Sequence, residues 1–131
     1  MNIFENSKNT KFQGNIGLGS AIQYFTSQNI IVSLPLNDSQ DYDLIIDDGN
    51  ILKRVQVKTC YNKTKYGIWH VNLKICGGSS KTQRIIKNND QILYDLLFVL
   101  CADGCRYLIP KNHIKSKTSI NINKNFNKFK I

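Results

Sequence analysis

Apolar and polar positions recur with two different periods along the chain, and these periods predict its elements. Apolar residues recur at near-helical spacing from Ile16 to Phe25, and Asn29 ends the pattern, which predicts a helix over residues 16–28. The polar residues 1–13 ahead of it are expected to form a loose arm. Glycines at the start of this helix weaken it, or instead allow its backbone to approach a sheet or a phosphate closely. They are Gly14, Gly17 and Gly19.

Short β-prone segments bounded by turn formers make up most of the remaining chain. One of them alternates apolar and polar residues one by one, which predicts an amphipathic strand with one buried face. Another pair flanks Asp103-Gly104, a strong hairpin signal. The predicted strands are residues 30–34, 44–46, 51–57, 68–75, 94–100 and 106–109. The order of helix and strands predicts one α/β domain, residues 1–131, in which helices flank a central mixed β-sheet.

Three polar segments connect or follow these elements. Residues 61–67 form a basic turn with two tyrosines, and residues 81–91 form a basic loop or a short helix. Residues 111–131 are rich in Lys and Asn with spaced apolar residues, which indicates a peripheral arm. The apolar residues that would pack this arm are Ile114, Ile120, Ile122, Phe126 and Phe129.

The segment from residue 41 to residue 59 contains the candidate chemistry. Its two β-prone parts are joined by the turn formers of residues 47–50, which predicts a hairpin that places Asp43 opposite Val55 and Gln56. The turn type leaves the register open by one residue. Gln56 and Lys58 are two apart on one strand and therefore share a face, which Asp43 joins in a favourable register. A carboxylate, an amide oxygen and an ammonium then converge. The alternative is a half-buried hairpin whose outward side chains have these identities by chance.

Oxygen ligands suit a hard cation such as Mg²⁺, which keeps several waters and takes few protein ligands. A lysine beside such an ion holds a nucleophilic water or stabilises charge on a phosphate. Asp38 and Asp41 are candidate auxiliary ligands, although both residues are equally well explained as loop acids.

The charge balance favours a polyanionic partner. Eighteen Lys and Arg against nine Asp and Glu give a net charge of +9. Most of the cations are Lys, which neutralises phosphate as a point charge, whereas base reading favours Arg. Part of the Lys and Asn abundance is also what an A+T-rich coding sequence would produce, and solvated loops explain the basic turns nearly as well. The candidate nucleic-acid contacts are Lys11, Lys63, Lys65, Lys81, Arg84 and Lys87.

The apolar runs, the N-terminus, the cysteines and the histidines indicate where the protein is located and whether it binds zinc. No apolar run approaches the roughly 20 residues of a membrane helix, and the N-terminus lacks the pattern of a signal peptide, so we expect a cytoplasmic protein. The four cysteines show no paired spacing and are expected to be reduced thiols; a zinc site would require all four to meet in space. They are Cys60, Cys76, Cys101 and Cys105. His70 and His113 are isolated and are expected at the surface.

An acid at a strand start followed by a strand with acid-x-Lys is the pattern of the PD-(D/E)xK nucleases, and this chain resembles them with Asp43 and Gln56-Val57-Lys58. With Gln in the second position, and with the phrases of residues 33–36, 42–45 and 55–59, it is similar to the group I intron-associated homing endonucleases of that superfamily. The resemblance implies a restriction-endonuclease-like fold and Asp43, Gln56 and Lys58 as catalytic residues, the first two as metal ligands. It also implies Mg²⁺, with Mn²⁺ as a substitute, double-stranded DNA as the partner, a homodimer or homotetramer, and a bacterial or phage-like setting.

Two departures from that pattern affect the expected activity. The related nucleases place a Glu on the first helix, where this chain has Leu18, and the only Glu of the chain is Glu5. With Gln56 in place of the second acid, metal affinity is expected to be weaker than at a site with two or three acids. A non-catalytic DNA-binding protein on the same scaffold, or a Holliday-junction resolvase with the same chemistry, is therefore an alternative.

Overall fold

A computed structural model describes residues 1–37, 39–77 and 85–131. In chain order the helix and strands are α1 (Thr10–Ser27), β1 (Ile31–Ser33), β2 (Leu44–Asp47), β3 (Leu52–Cys60), β4 (Trp69–Asn72), β5 (Ile75–Gly77), β6 (Ile85–Lys87), β7 (Leu96–Cys101), β8 (Arg106–Pro110) and β9 (Ser119–Ile122). Short 3₁₀ helices span Asn89–Gln91, Lys111–His113 and Lys124–Phe129.

The central sheet has five strands in the order β1-β2-β3-β7-β8. Strands β3 and β7 are parallel, and the other neighbours are antiparallel, so the sheet is mixed. This confirms the predicted fold class. Two further pairs of strands, β4 with β9 and β5 with β6, lie outside this sheet.

Side chains of β7 alternate between the two faces of the sheet and divide the core into two parts. Phe98 and Leu100 pack on the α1 side, whereas Leu97, Val99 and Cys101 pack on the opposite side. In the described parts of the chain, α1 is the one α-helix that flanks the sheet. The opposite face is covered by β4, β9 and the segments that join them to the sheet.

Helix α1 begins six residues before the predicted start. The side chain of Asn9 accepts hydrogen bonds from the backbone N–H groups of Lys11 (3.0 Å) and Phe12 (3.2 Å), which caps the helix at Thr10. The polar first turns do not follow the apolar period, so the period alone misplaced the start. The prediction of a loose N-terminal arm was also wrong, because Phe4 is 2% exposed and lies in the core on the α1 side.

Gly17 sets the distance between α1 and the sheet. A Cβ built on Gly17 would lie 2.6 Å from Cγ2 of Thr59 and 3.2 Å from Cγ1 of Val57. Among the three helix glycines, close approach to the sheet is therefore confirmed at Gly17, whereas Gly14 and Gly19 have nothing within 4 Å of that position. The helix thereby packs directly against the second half of β3.

The C-terminal segment, residues 111–131, contributes more to the core than predicted. Strand β9 pairs with β4 over four residues, and Ile114, Ile120 and Ile122 are buried in the core on the side away from α1. Phe126 and Phe129 pack against that core, as expected. The prediction of a peripheral arm was wrong, because this segment covers one face of the sheet.

Two turns predicted from the sequence are present. Gly104 has a φ of +87° between β7 and β8, and Gly49 has a φ of +89° between β2 and β3. Both values lie in the left-handed region that glycine adopts without strain. The predicted strand over residues 68–75 is instead divided into β4 and β5. No helix in the described parts of the chain is long and apolar enough to cross a membrane.

Candidate active site

The candidate site lies where β3 extends beyond its neighbour β2. Pairing between β2 and β3 ends with Leu44 opposite Val55, whereas β7 pairs with β3 as far as Cys60. One edge of β3 is therefore open after Gln56. An open cleft of ≈ 310 Å³ lies at this edge, lined by Gly14, Val57, Lys58, Thr59 and Asn72.

Asp43 is fixed against the open edge by three hydrogen bonds. Its backbone N–H donates to the carbonyl of Val55 (2.9 Å), and its Oδ2 accepts from the backbone N–H of Val57 (2.7 Å) and from Nε2 of Gln56 (2.9 Å). These contacts define the register that the sequence left open. They also satisfy the backbone groups of Val55 and Val57 at and just beyond the last residue pair of β2 and β3.

Gln56 and Lys58 lie on the face of the sheet away from α1. Gln56 pairs with Leu97 and Lys58 with Val99, and both β7 residues belong to the core on that side. Gln56 is 8% exposed, and Lys58 is half-buried. Asp43 and Gln56 are therefore in contact as expected, and Lys58 lies on the same face of β3, where its ammonium bonds to the Lys74 carbonyl and forms no ion pair with Asp43.

The orientation of the Gln56 amide differs from the expectation. The sequence analysis placed the amide oxygen at the centre of the site, whereas the amide nitrogen donates to Asp43 and, more weakly, to the carbonyl of Val57 (3.3 Å). The reason is electrostatic, since a carboxylate accepts hydrogen bonds and attracts the NH₂ group. The amide must turn over before its oxygen can act as a ligand.

A turn after β4 holds the ammonium of Lys58. Nζ of Lys58 donates to the carbonyl of Lys74 (3.0 Å), and the backbone N–H of Lys74 donates to Oδ1 of Asn72 (2.9 Å). Asn72 also lines the cleft beside Lys58. Neither Asn72 nor the Lys74 carbonyl was identified from the sequence, because a backbone carbonyl leaves no signal in the residue pattern.

Burial perturbs both charged groups of the site. Burial raises the pKa of Asp43 above its ordinary value, although the hydrogen bond from Val57 and the positive charge of Lys58 both act to lower it. Burial lowers the pKa of Lys58, although the negative charge of Asp43 acts in the opposite direction. Perturbed acids and bases that face one cleft are typical of functional sites.

The oxygen atoms at this edge fit a hard cation that keeps most of its waters. Oδ1 of Asp43 accepts no hydrogen bond from the described residues. The Val57 carbonyl points to the same open edge, because the N–H of that residue already bonds to Asp43 there. Asp43, the Val57 carbonyl and, after rotation, the Gln56 oxygen would hold the ion.

Nowhere in residues 1–37, 39–77 and 85–131 do three His, Cys, Asp or Glu side chains form a group that could bind a metal. The zinc alternative accordingly has no support, and the four cysteines are free thiols.

The other acids considered lie elsewhere or outside the described residues. Asp41 accepts hydrogen bonds from Nζ of Lys87 (2.8 Å) and from the backbone N–H of Leu93 (3.1 Å), and the hydrogen bond from Lys87 lowers the pKa of Asp41. It ties two loops together, as a structural acid does. Asp38 lies outside the described residues, and Glu5 is exposed on the N-terminal segment. Leu18 packs into the core on the α1 side, so α1 brings no carboxylate to the cleft.

The candidate DNA contacts are distributed over several elements. Lys11 is exposed in the first turn of α1, the helix whose Gly14 lines the cleft. Lys63 lies over the ring of Trp69 (4.4 Å) and Lys65 over the ring of Tyr66 (5.0 Å), both in or beside the basic turn. Lys87 forms an ion pair with Asp41, so its charge is already partly compensated. Lys81 and Arg84 lie outside the described residues.

Comparison with known proteins gives the site its context. A family model for PD-(D/E)XK endonucleases matches residues 8–129. No curated protein matches the chain. The fold is similar to the solved structure of a bacterial homing endonuclease, I-Ssp6803I, with a TM-score of 0.72 and 23% sequence identity. That similarity covers 88% of this chain and 79% of the homing endonuclease chain.

Proposed function

Because the chain belongs to the PD-(D/E)XK endonuclease family, we propose that it is a metal-dependent endonuclease that hydrolyses phosphodiester bonds in double-stranded DNA. One observation carries the proposal: Asp43 is held by Gln56 and Val57 at the open edge of β3, and Val57 and Lys58 line the cleft at that edge. The similarity to a bacterial homing endonuclease supports the same substrate class. In this proposal residues 1–131 act as one nuclease domain in the cytoplasm.

Asp43 and the Val57 carbonyl would hold Mg²⁺, or Mn²⁺ as its substitute, and the Gln56 amide oxygen would join them if the amide turned over. The ion supplies Lewis-acid stabilisation of the phosphate and lowers the pKa of a bound water. Before it binds, Gln56 donates to Asp43 and keeps the carboxylate in place.

Lys58 acts next to this group through its ammonium. The Lys74 carbonyl occupies one of its three donors, which leaves two for the attacking water and for a phosphate oxygen. Charge stabilisation of this kind is stronger in a half-buried cleft than in open water. Lys58 thereby orients the water and offsets the negative charge that develops in the transition state.

Lys11, Lys63 and Lys65 neutralise phosphates of the bound DNA. Cleavage of both strands requires two such sites with opposite polarity, which a homodimer or homotetramer supplies by symmetry. The net charge of +9 favours this polyanionic partner.

A second candidate function is DNA binding without cleavage. It is favoured by the single carboxylate of the site, since α1 brings Leu18 where related nucleases have Glu, and β3 brings Gln56. A site with one acid binds a divalent ion less tightly.

Incubation of supercoiled plasmid with the protein and Mg²⁺ or Mn²⁺ separates the two functions. We expect nicked and linear products with the wild type and none with Asp43→Ala, while both proteins retard DNA in a gel. Retardation without cleavage by the wild type, at any concentration of either metal, would assign the scaffold to DNA binding alone.

A further inference from the structure

A second groove lies on the far side of the β4–β9 ribbon from the cleft. It has a volume of ≈ 460 Å³ and is formed by the loop after the second 3₁₀ helix, by β9 and by the third 3₁₀ helix. Lys115 and Lys128 bring its cationic groups, His113 lies beside them, and none of the residues that line it, all of them described, is acidic. We call it the C-terminal groove.

One lysine and one histidine of the C-terminal groove lie against an aromatic ring. Nζ of Lys128 lies 5.1 Å from the centre of the Phe129 ring, and the His113 ring contacts the same ring edge-on at 4.9 Å. Phe129 packs against the core, so these two groups have a fixed base. Lys115 and Lys128 are exposed and therefore accessible to a partner.

The outer face of the ribbon connects this groove to the cleft. Asn72 lines the cleft, and its pairing partner Ser119 lines the C-terminal groove. Directly paired residues of two antiparallel strands lie about 5 Å apart and point to the same face. The neighbouring pair, Val71 and Ile120, is buried, so Asn72 and Ser119 point outward.

The next outward-facing pair along the ribbon, His70 with Asn121, is polar as well. Nδ1 of His70 and Oδ1 of Asn121 form a hydrogen bond of 2.8 Å on the same outer face, and Asn121 also lines the C-terminal groove. A polar surface therefore runs from the cleft across the ribbon to Lys115 and Lys128, with Asp90 beside it in an ion pair with Lys117 (3.6 Å). Hydroxyl, amide and cationic groups in this mixture are the usual partners of DNA phosphates.

We propose that the C-terminal groove and the outer face of the ribbon are a second binding site for the DNA backbone. This inference rests on the proposed function, because it takes the cleft as the position of the scissile phosphate. Phosphates that flank the scissile one cross the ribbon at Asn72 and Ser119 and bind Lys115 and Lys128. The site adds affinity and fixes the direction in which DNA leaves the cleft.

Fluorescence anisotropy with labelled duplexes at several salt concentrations tests the proposal. The test variant is Lys115→Ala/Lys128→Ala, and the control is Lys53→Ala/Lys130→Ala, which removes the same two charges from positions outside the groove and the cleft. The labelled duplex is long, roughly 30 base pairs or about three helical turns, so that it extends past both the cleft and the groove.

With the long duplex we expect the groove variant to lose at least about tenfold in affinity and to reduce the slope of log K against log salt by about 2, since each phosphate contact contributes about 0.9. The control should change the slope by less than about 0.5. Equal effects of the groove and control variants, or a wild-type slope in the groove variant, would overturn the proposal.

The same proteins separate this inference from the proposed function. Plasmid cleavage by the wild type together with a wild-type salt slope in the groove variant overturns the second site alone. A groove-dependent slope without cleavage supports the second site and overturns the nuclease proposal. If the groove variant binds DNA normally but no longer binds polyglutamate, the groove belongs to an acidic polypeptide and the proposal is wrong.

Discussion

At the scale of residues, the hydrogen bond between Gln56 and Asp43 joins the two strands of the candidate site. A buried amide donates to a half-buried carboxylate at 2.9 Å, and the same carboxylate oxygen accepts the Val57 N–H. Glutamate in place of this glutamine, as in an acid-x-Lys motif, would set two carboxylates against each other without a metal ion. The amide therefore stabilises the metal-free protein and limits the charge available for a cation.

Substitution of Gln56 separates these two effects. In Gln56→Glu, repulsion from Asp43 should lower the melting temperature without metal, and millimolar Mg²⁺ should raise it more than in the wild type, because a second carboxylate binds the ion more tightly. Gln56→Leu should fold but cleave at least about tenfold more slowly, since it has no oxygen for the site. Thermal melts with and without Mg²⁺, followed by plasmid cleavage, provide both readouts. Wild-type cleavage by Gln56→Leu would remove Gln56 from the site.

Asp43→Asn should reveal the effect of the buried carboxylate on folding. The pKa of Asp43 is raised in the folded protein, so ionisation costs stability, and this cost grows as the pH rises through the ordinary pKa toward the raised one. Asparagine keeps an oxygen for Val57 and Gln56 but cannot ionise. The variant should be more stable than the wild type at neutral pH, and the difference should shrink toward about pH 3, below the ordinary aspartate pKa. Urea unfolding across this range measures it, and a difference that does not vary with pH would contradict the expectation.

At the scale of elements, the approach of α1 to β3 places Gly14 at the cleft. In Gly17→Ala, the new methyl group must displace the short, β-branched Thr59, which should destabilise the protein by about 1–3 kcal/mol. Gly19→Ala is the matched control, because that position is open and alanine there should stabilise the helix by about 0.5–1 kcal/mol. Chemical denaturation of both variants gives the comparison. Stabilisation of both variants would show that α1 does not pack this closely.

The turn after β4 positions Lys58 through the backbone. In Asn72→Ala, Lys74 loses the side-chain acceptor of its N–H group, and its carbonyl should hold the Lys58 ammonium less firmly. We expect single-turnover cleavage to slow by roughly tenfold or more, in line with displaced catalytic groups, while DNA affinity stays within a few fold. Asn72→Ser keeps a side-chain acceptor for the same turn without adding a negative charge that faces DNA, and it should recover part of the rate. If both variants cleave equally slowly, or if affinity falls in parallel with the rate, Asn72 does not act by positioning Lys58.

The sequence predicted elements whose signals are local. The β2–β3 hairpin, with its turn at Gly49, follows from an apolar run, a cluster of turn formers and a second apolar run. The start of α1 was missed because the Asn9 cap precedes the apolar period. Strand β9 was missed because four alternating residues within a Lys- and Asn-rich segment do not identify their distant partner β4.

The candidate site was predictable to the same extent. Gln56 and Lys58 are two residues apart on β3 and so share a face, and Asp43 directly precedes β2, which pairs with β3. These local features were enough to predict that the three residues lie near one another. The orientation of the Gln56 amide, the role of Asn72 and the carbonyl that holds Lys58 depend on tertiary contacts between segments far apart in the sequence. They required the structure.

At the scale of the whole molecule, the net positive charge and the cleft both favour DNA as the binding partner. The cations behind the net charge of +9 include one on α1, two in the basic turn and two in the C-terminal groove, and binding through many phosphates makes affinity fall steeply with salt. Charge alone does not distinguish a nuclease from a binding protein. That distinction depends on Lys58, whose ammonium lies in the cleft beside Asp43.

Single-turnover cleavage of DNA by Lys58→Ala, with DNA affinity measured on the same preparation, tests the central claim most directly. Removal of the ammonium leaves Asp43, the Val57 carbonyl and the other basic residues in place. We predict that Mg²⁺-dependent cleavage by the wild type falls by at least about a hundredfold in the variant, as for loss of one group that stabilises the transition state, while affinity changes by no more than a few fold. Equal losses of cleavage and affinity, or cleavage at the wild-type rate, would contradict the account and leave Lys58 as an ordinary phosphate contact or as no part of the site.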